Sequence, residues 1–200
     1  MISAAEALAR LKEGNARFLC HDTPTIDVKA PKGDGGKPQT PFAIILGCSD
    51  SRVPVEIIFE QGLGDLFVIR VAGQVVAPSQ IGSIEFAAEQ FGTRLVVVLG
   101  HSDCGAVTAT LEQLRQPADK RSPNLHAIVD RIRPAVEPLL ADNPDIDGDE
   151  LIDQAVKCNI NASVDALRHG SAILENLIDN DGLVIVGAEY CLDTGKVEFL

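Results

Sequence analysis

Four short apolar runs punctuate the chain: Phe42–Gly47, Leu66–Val71, Leu95–Gly100 and Leu183–Ala188. Each is bounded by glycine, proline or charged residues. Unbroken apolar runs of this length suit strands buried on both faces, not strands with one wet face. Between the runs the apolar spacing changes to that of helices. Residues 2–19 place Ala5, Leu8, Leu11, Ala16 and Leu19 roughly along one side. A short helix is predicted from Pro54 to Glu60, and another from Ser79 to about Phe91, with Glu85 and Glu89 outward and Gly92 closing it. Further helices are predicted from Gly105 to about Leu114, over 125–140 with interruptions at Pro134 and Pro138, over 149–169, and over 171–179. Loops are expected at 117–124 and, acidic, at 142–148. Asp193-Thr194-Gly195 turns the chain into a short last strand, Lys196–Phe199.

Strands alternating with helices predict an α/β fold. The sheet should be open and mostly parallel, four-stranded, with helices on both faces and an antiparallel edge strand. One domain over 1–200 is expected. Within it, residues 1–41 form an N-terminal helix and an irregular arm rich in proline and glycine, which has little core of its own and should pack on a partner subunit. The arm's Gly33-Asp34-Gly35-Gly36 neither follows a strand nor opens a helix, so it does not read as a phosphate loop.

Composition narrows the partners. The net charge of −12 disfavours nucleic acid and anionic membrane, which need clustered Lys and Arg. No run is long enough to span a bilayer, and the N-terminus lacks the pattern of a secretory signal, so a cytoplasmic location is expected. Five cysteines is an odd count, and in a reducing compartment clustered ones point to metal or catalysis. Cys20, Cys158 and Cys191 have no ligand-type neighbours and read as small buried hydrophobes.

The chemistry gathers at two strand ends. The first run leads into Cys48-Ser49-Asp50-Ser51-Arg52, the third into His101-Ser102-Asp103-Cys104-Gly105. In open parallel sheets the ligand sits beyond the C-terminal ends of two strands, where the winding reverses. If the first and third strands are neighbours, Cys48 faces His101 and Cys104 across one crevice. Two thiolates and an imidazole suit zinc and leave one tetrahedral position for Asp50 or a water; thiolates disfavour magnesium or calcium. A phosphatase-type loop would need Arg six positions after Cys48, where Pro54 stands, and a thioredoxin-like pair would need Cys in place of His101.

At these residues the chain resembles the β-class carbonic anhydrases over nearly its whole length. The resemblance rests on Cys48-Ser-Asp-Ser-Arg52-Val-Pro and Gly100-His-Ser-Asp-Cys-Gly105, with Gly64-Asp65-Leu66-Phe67-Val68-x-Arg70, Ser83-Ile84-Glu85-Phe86-Ala87, Gly14-Asn15-x-Arg17-Phe18 and Thr194-Gly195-x-Val197 in support. It implies one zinc ion per subunit held by Cys48, His101 and Cys104, and an Asp50–Arg52 dyad. With Arg52 holding Asp50 off the metal the site is open; with Asp50 in the fourth position it is closed and inactive. It also implies a carbon dioxide pocket of Gln39, Phe67, Phe86 and Gly105, partly donated across a dimer interface, and a homodimer or homotetramer. One subgroup binds inhibitory bicarbonate at a Trp–Arg–Tyr site. Arg70 and Tyr190 match, but Ile45 replaces the Trp. Gln74 replaces the family's commoner Asn.

The expected activity is therefore zinc-dependent, reversible hydration of carbon dioxide to bicarbonate and a proton. Two rivals share the site: hydrolysis of carbon disulfide or carbonyl sulfide, and a non-catalytic zinc protein closed by Asp50. Asp103 reads as a turn residue, and His21, His126 and His169 are the other imidazoles available as proton shuttles.

Overall fold

The computed structural model describes residues 2–20, 38–115, 122–143, 146 and 148–200. Most of the predicted arm, its Gly33–Gly36 segment, His21, residues 117–121 and part of the acidic loop lie outside these.

Five strands form one sheet: β1 (Ala43–Gly47), β2 (Leu66–Arg70), β3 (Leu95–His101), β4 (Val184–Tyr190) and β5 (Val197–Phe199). Their order is β2-β1-β3-β4-β5. The first four are parallel and β5 is antiparallel to β4. The predicted architecture is thus present, and β1 and β3 are neighbours, with Ile44 beside Val96 and Gly47 beside Leu99. Strand alternation sends Ile44, Leu46, Val96 and Val98 to one face and Ala43, Ile45, Val97 and Leu99 to the other. Both sets are fully buried. This explains why the runs read as continuously apolar.

The first face carries α3 (Pro78–Gln90), α4 (Gly105–Arg115), α5 (Pro123–Asp142), α6 (Gly148–His169) and α7 (Ala172–Asp181). The second carries α1 (Ala4–Cys20) and α2 (Val55–Ile58). The predicted boundaries hold within a few residues, and β3 and β4 run on to include His101 and Tyr190.

Four expectations need correction. First, the buried side of α1 is Ala4, Ala7, Leu11, Gly14 and Asn15, while Ala5 and Leu19 are exposed. Ser3 and Glu6 cap its start reciprocally: the Ser3 amide donates to Glu6 Oε2 (2.8 Å) and the Glu6 amide to Ser3 Oγ (3.2 Å). The face is chosen by contact. A Cβ on Gly14 would lie 1.8 Å from the Phe59 carbonyl oxygen. Beside it, Asn15 Nδ2 donates to the Ile58 and Gly195 carbonyls (3.1 and 3.0 Å), and its Oδ1 accepts from Val197 N (2.9 Å). One amide thus ties α1 to the end of α2 and the entry to β5. The buried side of α1 is covered by its own chain, which leaves Leu19 and the outer side for any neighbour. Gly14→Ala should cost about 3 kcal/mol, since backbone cannot move aside as a side chain can. At roughly 2–4 °C per kcal/mol for a chain of this size, a melting curve within 2 °C of the parent's would refute the contact.

Second, Pro134 and Pro138 do not interrupt α5. Spaced four apart, they share its exposed side, so the carbonyls they leave unbonded face water. Third, the helix begins at Pro123, not 125, because Ser122 caps it by accepting from the Asn124 amide (3.2 Å). Fourth, Glu85 is half-buried and accepts from the Ser171 hydroxyl at the cap of α7; it does not point to solvent.

Candidate metal centre

The three predicted ligands converge. Cys48 leaves the end of β1, His101 ends β3, and Cys104 precedes α4. Their Sγ, imidazole nitrogen and Sγ atoms all lie within 4.8 Å of one another. All three residues are buried. The His-x-x-Cys spacing works because Asp103 adopts a positive φ of 53° between them. This reverses the chain so that Cys104 folds back beside His101, and it gives Asp103 the turn role expected of it.

His101 is fixed from one side only. Its Nδ1 lies 2.7 Å from the Ser102 carbonyl oxygen, which assigns the proton to Nδ1 and leaves Nε2 with its lone pair free. Nε2 is buried and has no hydrogen-bond partner among the described residues. An acceptor buried without a partner is costly, so its presence beside two thiols has a chemical purpose. The thiols also titrate as a pair. A hydrogen bond from Cys104 draws the Cys48 thiol down to about 4, while the same bond and burial push the Cys104 thiol up. One thiolate forms readily, and the second thiol keeps its proton because of the first. A divalent cation between them removes that reason. Backbone N–H groups of Asp50 and Gly73 face the Cys48 sulfur, and those of Ala106 and Val107 at the start of α4 face the Cys104 sulfur. Two sulfurs and a neutral imidazole, dry and supported by amides, fit a borderline-soft divalent ion.

Asp50 stands at the mouth. Its Oδ2 is 3.9 Å from His101 Nε2, but it is not part of the close ligand cluster. Arg52 holds it. Nε donates to Oδ1 (3.0 Å), Nη2 to Oδ2 (2.8 Å), and the Arg52 amide also to Oδ1 (2.9 Å). This two-pronged grip needs a planar guanidinium. The side-chain bond from Arg52 keeps the Asp50 carboxyl well below the usual carboxylate range. The Asp50–Arg52 pair that the resemblance implies is therefore formed.

Arg70 braces the same loop. Its Nε donates to the Cys48 carbonyl (3.0 Å) and its Nη2 to the Asp50 carbonyl. Two of its donors are thus committed to the backbone that presents the ligand and the carboxylate. Ile45 is wholly buried in the α1-side core. Ile45 therefore offers no indole N–H at the place of the Trp in the inhibitory anion site of the Trp-containing subgroup.

The proposed pocket residues are more scattered. Phe67 packs with Phe86 and Phe91, ring centroids 6.2 and 6.0 Å away. Phe86 is 52% exposed. Gln39 lines a separate cavity of about 480 Å³ with Arg10, Phe42, Gln90, Phe91 and Thr93. Gly105 opens α4 directly after Cys104. His126 sits 3.2 Å from Gln113, and His169 Nδ1 lies 3.0 Å from the Asp165 carbonyl oxygen. Of the remaining cysteines, Cys20 is exposed and Cys158 and Cys191 half-buried, so the expectation of buried hydrophobes fails. They lie on the outer sides of helices or in a turn, which apolar spacing does not report.

A family model for carbonic anhydrase matches residues 43–197, the span that contains both ligand-bearing strand ends. The chain belongs to the β-class carbonic anhydrases. It is 40% identical over 192 residues to carbonic anhydrase 2 of Mycobacterium tuberculosis, covering 93% of this chain and 87% of that one. A carbonic anhydrase of Mycolicibacterium smegmatis is 38% identical, with 94% and 89% covered. Among solved structures, the β-carbonic anhydrase CafA of Aspergillus fumigatus superposes with a TM-score of 0.73 at 28% identity, covering 81% of this chain and 76% of that one. One of two tetrameric β-carbonic anhydrases of Sordaria macrospora gives 0.72 at 26% identity, covering 81% of each. The protein is thus an enzyme of the carbonic anhydrase type. The family motifs at Gly14-Asn15 and Thr194-Gly195-x-Val197 also gain a physical account: the Asn15 amide joins them.

Sequence reasoning passed over one polar residue near the centre. Asn159 of α6 is buried and donates from Nδ2 to the Gly73 carbonyl (2.9 Å). The signal was available, since a polar residue on the buried side of an amphipathic helix needs a partner.

Proposed function

We propose that this chain catalyses the zinc-dependent, reversible hydration of carbon dioxide to bicarbonate and a proton. The observation that carries the reading is the convergence of two thiols on the buried, unpartnered Nε2 of His101. Cys48, His101 and Cys104 would hold the ion. When bound, zinc supplies Lewis acidity that makes water a nucleophile near neutral pH; its effect on the water pKa, from ~16 to ~7, is the value established for a three-histidine carbonic anhydrase site.

The protein residues do the rest. Arg52 keeps Asp50 ionised and turned so that both carboxylate oxygens are held. In that position Asp50 would accept a hydrogen bond from the attacking water and so orient it at the mouth of the site. Burial of Cys48, His101 and Cys104 keeps bulk water from the ligands. Phe67 and Phe86 offer an apolar approach suited to an uncharged gas. Gln39 lies on a different cavity, so its part in the pocket would be played across a subunit interface. An exposed Phe86 supports the same arrangement, and the tetrameric Sordaria enzymes are a precedent for assembly. We propose a homodimer or homotetramer.

Stopped-flow assay of one zinc-loaded preparation with carbon dioxide, carbonyl sulfide and carbon disulfide tests the reading. Carbon dioxide should be turned over fastest. Turnover of only the sulfur compounds would assign the rival substrates, and inactivity toward all three at every pH would leave a closed zinc protein.

A further inference from the structure

The turn beside the metal centre is braced by α6. Ile160 seats this helix. A Cβ on Gly100 would lie 2.6 Å from Ile160 Cδ1, and one on Gly187 would lie 2.7 Å from Ile160 Cγ2. Ile160 thus inserts between glycines of β3 and β4, and sets the height and rotation of the helix. The preceding residue, Asn159, is only 2% exposed and lies on the same buried side as Val156 and Ile160. Its Nδ2 reaches the Gly73 carbonyl at 2.9 Å.

Gly73 is the centre of a tight turn, residues 72–74, that follows β2. The turn is tied to the end of β1 on one side, where Val71 N donates to Gly47 O (3.1 Å) and Ser49 N to Val71 O (3.2 Å), and it is closed on itself by Gln74 N donating to Val71 O (3.0 Å). Gly73 has φ +66°, and a Cβ there would meet Ile132 Cδ1 at 2.9 Å and Ala106 Cβ at 3.0 Å. Gln74 also has a positive φ, 42°. A backbone in this region is held by its surroundings. The consequence is that the Gly73 N–H points at Cys48 Sγ, 3.3 Å away. The carbonyl of the same residue is the one that Asn159 grips.

We infer that Asn159 is a positioning residue for the metal centre: through the Gly73 carbonyl it holds the 72–74 turn so that the Gly73 N–H donates to the Cys48 sulfur. An N–H···S bond draws electron density from a thiolate, and outer-sphere partners of this kind tune both affinity and acidity of a bound metal. The effect suits a site with two thiolates, whose donation otherwise blunts the Lewis acidity of the ion. The inference rests on the metal-centre reading above.

The test compares Asn159→Leu, branched at the same atom but without a donor, with the parent. In cobalt-substituted protein the sulfur-to-cobalt charge-transfer band should move to longer wavelength. The zinc dissociation constant, from chelator competition, should rise about tenfold. A folded N159L protein with the parent's band and zinc affinity, whatever its melting temperature, overturns the inference, because Asn159 would then only satisfy a carbonyl. The second measurement needs no variant. In parent protein loaded with cadmium-113, the Gly73 amide proton should show coupling to the metal through the N–H···S bond, and its absence also overturns the inference. Failure of the parent to take up zinc, cobalt or cadmium removes the metal-centre reading itself and is told apart by that.

Discussion

His101→Ala protein will purify folded but without zinc, and its carbon dioxide hydration will fall to the uncatalysed background. The reason lies in the donor set. Cys48 and Cys104 alone give two ligands, and an open catalytic site on this scheme needs three. His101 Nε2 is buried beside the two thiols and has no hydrogen-bond partner among the described residues, so its loss removes the third donor of the cluster. The imidazole makes no hydrogen bond through Nε2 that its loss would break; the Nδ1 contact to Ser102 O is local. The fold should therefore survive better than the site. Cys48→Ser should have the same effect on metal content. In its absence the Cys104 thiol loses the neighbour that pushes it up, so its reactivity toward a thiol reagent should increase. Metal analysis beside the hydration rate reads out both variants. Full activity in a zinc-free H101A protein would sink the proposed mechanism.

Arg52→Ala should lower kcat/KM by about a hundredfold while zinc stays bound. Three N–H groups of Arg52 fix Asp50, two from the guanidinium and one from the backbone. Truncation removes the two that matter for aim. The freed carboxylate already has Oδ2 3.9 Å from His101 Nε2, so it needs only a small rotation to reach the fourth position of the ion and close the site. X-ray absorption of the variant should show a carboxylate ligand, recognised by its outer-shell carbon, in place of water, and it should persist at alkaline pH. Arg52→Lys should fall between the two, because an ammonium gives charge without the fork. The titration of Asp50 follows. Its folded-state pKa is depressed, mainly by the bond from Arg52. Its contribution is therefore complete at neutral pH, and is lost only as the pH falls below the ordinary carboxylate range and through the folded value. In R52A that value returns toward the ordinary one, so the contribution, and with it the loss on acidification, becomes smaller. Global stability at neutral pH should hardly change, since the Arg52 side chain is 53% exposed and surface pairs are weak. A variant with parent activity and no carboxylate ligand would leave the dyad without a role.

Much of this protein could be read along the chain because its strands are short, apolar and buried on both faces. That pattern identified the strands, and the residues just after β1 and β3 named Cys48, Asp50, Arg52, His101 and Cys104. Parallel-sheet geometry brings such strand ends together once the two strands are neighbours. The buried side of α1 was misread, because periodicity ranks side chains by polarity, whereas Gly14 and Asn15 are inside through close approach and three hydrogen bonds. Pro134 and Pro138 looked like breaks, and only their shared exposure shows why the helix continues.

What the sequence alone made legible was the α/β class, from apolar runs alternating with helical spacing, and the candidate ligands and dyad, because each is a short cluster directly at a strand end. What only the tertiary structure decided was the support: Ile160 seated between two glycines, Asn159 reaching Gly73, and Arg70 holding the loop carbonyls. These contacts join residues up to 86 apart. Their chemistry is ordinary amide and guanidinium hydrogen bonding, which any buried carbonyl can accept, so no local pattern announces the partner.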